Sequence, residues 1–150
     1  LRSGCVKWKA NGYRLPTEAE WEKAARGGLV DQHYPWNGKD GSFEEHMNSS
    51  KANGWPYVRK TTETGSYTPN GYGLYDMAGN VWAWCWNRYR GEGYQPGPLN
   101  ESGTKRVLRG GGWRSVAYLL RCAARLGFEP WETRSTFGFR IFRTDVQSRS

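Results

Sequence analysis

Two glycine-rich joints frame the last third of the chain and restrict its fold more than any other feature. Arg109-Gly110-Gly111-Gly112-Trp113 opens a segment that Gly138-Phe139-Arg140 closes. β-forming runs, Lys105–Arg109 and Phe137–Arg143, lie at its two ends and read as strands. Gly138 inside the second run marks a bulge or a close backbone approach. The residues between mix Tyr, Trp, Phe and Leu with Arg, Ser and Glu, and read as a loop system that carries a site.

The rest of the chain agrees with a small, loop-rich domain. Its 150 residues suit one domain with a core. Nine Trp, nine Tyr and 20 Gly stand in a chain whose mean hydropathy is −0.87. Large aromatics on a polar, glycine-rich backbone imply irregular structure, and no aliphatic run at helical spacing supports a bundle. No apolar run reaches the roughly 18–20 residues that cross a bilayer. No signal peptide is visible, and a chain opening at Leu1 leaves its localisation unread.

Charge and cysteines narrow the function classes. The net charge is +8, and residues 104–150 hold ten Lys and Arg against Glu129, Glu132 and Asp145. Those cations form no basic run, which argues against nucleic acid and for guanidinium groups that satisfy loop carbonyls. Cys5, Cys85 and Cys122 make an odd set with no CxxC, and His33 and His46 lie far from them in sequence. A disulfide framework and a zinc site are both disfavoured; buried free thiols are the favoured reading.

Several elements can be placed. Thr17 and Glu20 form a capping box for a helix over about 17–26, with Trp21, Ala24 and Ala25 on its buried face and Gly27-Gly28 as its stop. Residues 29–70 read as loop, Leu74–Gly79 as a short helical turn, and Gly91–Gly103 as loop. Val81–Cys85-Trp86 reads as a strand, with Trp82, Trp84 and Trp86 on one face and Cys85 on the other. Residues 144–150 read as a frayed tail.

Three motifs carry a resemblance. Tyr13–Gly28 (YRLPTEAEWEKAARGG), Pro69–Cys85 (PNGYGLYDMAGNVWAWC) and Arg106–Arg140 resemble, in order, the formylglycine-generating-enzyme (sulfatase-modifying-factor) domain family. The resemblance implies an α+β, C-type-lectin-like fold with few short strands. It implies a single domain over 1–150 that corresponds to roughly the C-terminal half of the usual family domain, similar from about Ala10 to Arg143. Family enzymes oxidise a sulfatase cysteine with oxygen and with copper held by a cysteine pair just after Gly-Gly-Ser-Tyr/Trp. Here no cysteine follows Trp113 as far as Leu120, Gly112 stands at the family's active-site Ser, and Ala25 stands near the position of the family's disulfide partner for Cys122. Copper is therefore not expected, and the chain leans away from catalysis.

The family's two calcium sites are also degraded by this reading. One would use Asp76 and the carbonyls of Gly79 and Val81, but Ala83 replaces the family's Glu. The other would use Asn53 and an acid near Pro56 or Tyr57, where none is found. Calcium is at most weakly expected; Asp76 and Asn80 also fit a purely structural role as acceptors in a turn.

The resemblance extends to bacterial and phage variable proteins of diversity-generating retroelements, which keep the scaffold and change exposed positions between Trp113 and Arg140. The expected ligand surface is Trp113, Arg114, Ser115, Val116, Tyr118, Leu119, Leu126, Gly127, Phe128, Trp131, Glu132, Ser135 and Thr136, with Trp82 as a pocket floor. This mix of rigid aromatics and adaptable polar groups is paratope-like, although Leu119, Leu120 and Phe128 equally fit a core. A protein, peptide or carbohydrate ligand is open. The alternatives are an oxidoreductase of the family, or an accessory module that completes a partner's site.

Overall fold

A computed structural model describes residues 10–36, 52–54, 59–91 and 103–144. The expected helix is present as α1 (Glu18–Arg26), and its start is built from local chemistry. Thr17 Oγ1 accepts from Glu20 N at 3.3 Å, and Thr17 N donates to Glu20 Oε2 at 2.8 Å, so both halves of the capping box form. Gly27 ends α1 at φ 57°, where a side chain would be strained.

Among the described residues there are six short strands: β1 (Gly12–Arg14), β2 (Trp82–Arg88), β3 (Arg106–Arg109), β4 (Arg125–Phe128), β5 (Phe137–Phe139) and β6 (Phe142–Thr144). One sheet has the order β4-β3-β2-β5, with β2 and β5 parallel, and β1 pairs with β6 in a second. One helix, short strands and much irregular structure make the α+β, C-type-lectin-like arrangement expected.

Some boundaries differ from the sequence reading. Phe137–Arg143 is two strands, because Phe139 pairs with Trp84 while Phe142 pairs with Arg14 in the other sheet. Leu74–Gly79 is not helical: Gly79 forms a bridge with Asn53 and donates to Gly110 O at 2.7 Å, which spends its backbone on distant partners. Thr144 is not frayed but paired with Gly12, and residues 145–150 lie outside the described residues. So do Cys5, His46, the turns at 37–42 and most of the 91–103 loop.

The register divides the four-stranded sheet into two faces. Ala83, Val107, Arg109, Arg125 and Gly138 share the face that α1 covers. Trp82, Trp84, Leu108, Leu126, Phe128, Phe137 and Phe139 share the other. Trp21 is the anchor of the first face, 2% exposed among Ala24, Ala25, Ala83, Cys85, Val107 and Cys122. Losing such a ring to Ala costs about 3–5 kcal/mol.

Charged groups are also buried there. Arg109, 1% exposed, pairs with Glu18 at 3.2 Å and Glu22 at 2.5 Å. It also donates to the carbonyls of Cys122 (2.7 Å) and Ala123 (3.0 Å), while Arg125 holds the other Glu18 oxygen at 2.8 Å. Arg26 donates to Gln32 O and Arg140 to Tyr75 O. Guanidinium donors thus serve loop carbonyls, as the scattered arginines predict.

Candidate ligand-binding surface

The segment from Trp113 to Thr136 is anchored inside and displayed outside. Trp113 N donates to Asn80 O at 2.9 Å and its Nε1 to Ser135 O at 3.3 Å, so the two ends of the segment lie side by side. The 3₁₀ turn Ala117–Leu120 plants Ala117 and Leu120, each 1% exposed, against Ala52 and Ala78. Leu120 therefore takes the core role that the sequence left open.

The expected surface residues divide accordingly. Arg114, Tyr118, Trp131 and Ser135 are exposed, with Tyr118 at 59% and Trp131 at 72%. Trp113, Val116, Leu119, Leu126, Gly127, Phe128, Glu132 and Thr136 are half-buried. Arg114 stacks on Trp113 at 5.2 Å, and Arg134 caps Phe128 at 4.3 Å beside the Phe128–Phe137 edge contact. Glu132 is held by Arg134 at 3.1 Å and accepts from Glu129 N.

Ser115 and Trp82 have other duties. Ser115 is 5% exposed, and its Oγ accepts from Gly112 N at 3.0 Å, closing the turn after the glycines. Trp82 is 4% exposed and lies under Gly112 and Thr136, a buttress beneath the surface. A β-carbon on Gly112 would stand 3.1 Å from Thr136 Cβ and 3.2 Å from Trp82 Cδ1, tighter than ordinary contact. The serine of the family enzymes does not fit at this position without a shift.

Beside this segment lies a cleft of about 390 Å³, and of its walls the sequence reading assigned only Trp131 to a site. Trp84, Trp86, Arg88, Arg106, Pro130 and Phe139 line it, together with Trp131. Trp131 and the alternation of Trp84 and Trp86 were its legible signals.

Neither metal of the resemblance is supported by its donor set. Cys85 and Cys122, the described thiols, are each 1% exposed and free. Burial pushes the Cys122 thiol up to about 11 and raises that of Cys85 further. Two sealed, protonated thiols do not fit copper, which takes accessible thiolates. Asp76 adopts φ 55° and spends Oδ2 on Gly65 N at 2.9 Å. Its Oδ1 is buried without a hydrogen-bond partner, but Arg140 lines the same cleft with Gly79, Val81 and Ala83. Asn53, fully buried, gives its amide to Lys60 O and Thr62 Oγ1. One carboxylate beside a guanidinium does not fit calcium, which takes about six to eight oxygens. Among the described residues no group of three or more His, Cys, Asp or Glu could hold a metal, and no helix is long and apolar enough to cross a membrane.

Comparison with known proteins bears on the same residues. The model of the sulfatase-modifying factor enzyme 1-like domain matches residues 5–145. The chain is 44% identical to the serine/threonine-protein kinase pkn1 of Chlamydia pneumoniae over 147 residues, covering 92% of this chain and 22% of that protein. It is 40% identical to the formylglycine-generating enzyme of Mus musculus, covering 86% of this chain and 38% of the enzyme. Among solved structures, Treponema denticola variable protein 1 superposes with a TM-score of 0.74 at 40% identity, covering 91% of this chain and 49% of that one. The chain thus spans half or less of the length of each of these proteins.

Proposed function

The chain belongs to the sulfatase-modifying factor enzyme 1-like domain family, and within it we propose a non-catalytic ligand-binding domain. One observation carries this reading: the segment that bears the family's catalytic cysteines is here split into a buried scaffold and an exposed, thiol-free display. Ser115, Leu120 and Cys122 are inward, while Arg114, Tyr118, Trp131 and Ser135 face solvent. Rigid aromatics with adaptable polar neighbours suit recognition of a protein, peptide or carbohydrate, and a scattered set of arginines suits nucleic acid poorly. The likeness to variable protein 1 supports a display surface of the diversified kind, in a bacterial or phage setting.

The test of non-catalysis is direct. The protein is incubated with Cu(I), oxygen, a thiol reductant and a cysteine peptide bearing a sulfatase-type motif, and the product is read by mass. The peptide is expected to stay unconverted; an aldehyde product that vanishes in the Cys122→Ser variant would refute the reading. Diversification is tested at the locus, where a near-copy of the Arg106–Arg140 coding stretch differing at adenines, next to a reverse transcriptase gene, is expected.

A further inference from the structure

The cleft that the resemblance gives to calcium already contains a cation of the chain's own. It measures about 400 Å³, and Asp76, Gly79, Asn80, Val81, Ala83 and Arg140 are among its walls. Asp76 Oδ1 is buried there without a hydrogen-bond partner. A buried carboxylate oxygen is costly unless a positive charge compensates it.

Oxygens that would have to turn to a metal are engaged elsewhere. Asp76 Oδ2 accepts from Gly65 N at 2.9 Å. Asn80 Oδ1 accepts from Thr62 N at 3.1 Å, and Asn80 O accepts from Trp113 N at 2.9 Å. Gly110 O accepts from Gly79 N at 2.7 Å. Position 83, where the family has Glu, carries a methyl group packed into the core with Trp21. Calcium takes about six to eight oxygens, carboxylates among them.

Arg140 brings the missing charge. It closes the display segment, lines this cleft, and donates at 2.6 Å to Tyr75 O, the carbonyl just before Asp76. The Asp76 charge acts on its guanidinium across the cleft, against the effect of burial. A fixed guanidinium also repels a divalent ion from the same space.

The structure assigns Arg140 the role of the cleft's cation: its guanidinium balances Asp76 in place of calcium, and the fold is calcium-independent at this site. A metal ion comes and goes with its concentration, whereas Arg140 is carried by the chain. The end of the display segment is thereby fixed to the loop before β2 at any calcium level. This inference stands apart from the binding reading above; it holds for the fold whatever the display segment meets.

The experiment compares melting of the full chain in EGTA, in millimolar CaCl2 and in millimolar MgCl2. The three Tm values are expected to coincide. A bound ion would raise Tm once its concentration exceeded its Kd. A calcium-specific rise that Asp76→Asn abolishes overturns the inference. A rise that Asp76→Asn leaves intact comes from another place and leaves this cleft calcium-free, as inferred. The charge pair is then measured in EGTA by a double-mutant cycle of Arg140→Met and Asp76→Asn. Arg140→Met strands the Asp76 charge, and Tm is expected to fall by about 3 °C or more. Arg140→Lys, which keeps the charge, is expected to recover part of that loss. Asp76→Asn is expected to cost less in Arg140→Met than in the parent. Strictly additive losses overturn the inference, because an arginine that only fills space would give them. If Arg140→Met does not fold, the parent's response to EGTA and calcium still decides.

Discussion

The two faces of the four-stranded sheet are made by the same short strands and do opposite things. Under α1 the face is small residues and paired ions: Ala83, Cys85, Val107 and Arg109, closed by Glu18, Glu22 and Trp21. On the other side it is aromatic and partly open, with Trp84 and Phe137 in edge contact at 5.6 Å and Phe139 largely exposed. A residue alternation of two lets one strand serve both, so stability and recognition are divided by side of the sheet rather than by stretch of sequence. Changes at the exposed positions of the open face, such as Phe139, are expected to leave the fold intact, and changes at the buried positions of the covered face are not.

The sharpest way to break this contrast is to remove the cation from the covered face. Arg109→Ala strands Glu18 and Glu22 without their buried partner and frees two loop carbonyls; a loss of about 3–5 kcal/mol in denaturant unfolding is expected. A smaller effect comes from the joint between the faces. Gly112→Ser brings a side chain against Thr136 and Trp82, and a loss of about 1–3 kcal/mol is expected from overpacking. Wild-type stability in that variant would show that the glycine is not required by packing.

Next is the cap of α1. Arg14 holds Glu20 in a two-pronged pair at 2.6 and 2.7 Å and, with the Thr17 donors, lowers its carboxyl from 4.5 to about 2 against the opposing effect of burial. A lowered folded-state value means that the contribution is full above about pH 4.5 and is lost as pH falls toward 2. The Glu20 side chain is 38% exposed to water, so roughly 1 kcal/mol or less is at stake. Melting of Glu20→Gln against the parent is expected to differ at pH 7 and to converge by pH 2. The smallest effects belong to exposed positions: Phe139→Ala on the open face, and Tyr118→Ala and Trp131→Ala on the display segment, are expected within about 0.5 kcal/mol of the parent. A loss of several kcal/mol at Phe139 would collapse the distinction between the two faces.

The helix over the covered face was legible, and so was β2, the strand that serves both faces. The capping box and the Trp21, Ala24, Ala25 stripe are local signals, readable within one turn of helix. Trp82, Trp84 and Trp86 declared a strand by alternation alone. β4 was missed because Arg125-Leu126-Gly127-Phe128 has little strand character by itself and exists through its pairing with β3. Gly127 there lies against the Tyr89 ring, a contact from a distant part of the chain. Ser115 reads as an exposed polar residue until the turn at Gly112 gives its hydroxyl a buried partner. Apart from Trp131 the aromatic cleft escaped, because its lining comes from five separate stretches that only the fold brings together.

The pairing of β1 with β6 has a consequence for how such a module travels. Gly12 and Thr144 are register partners, so the polypeptide enters and leaves the described fold side by side. A unit whose two leads emerge together can be spliced into a host loop with little stretching of the host, because the gap to be bridged is only a strand's spacing of about 5 Å. Leads placed side by side are the geometry that insertion into a host loop requires.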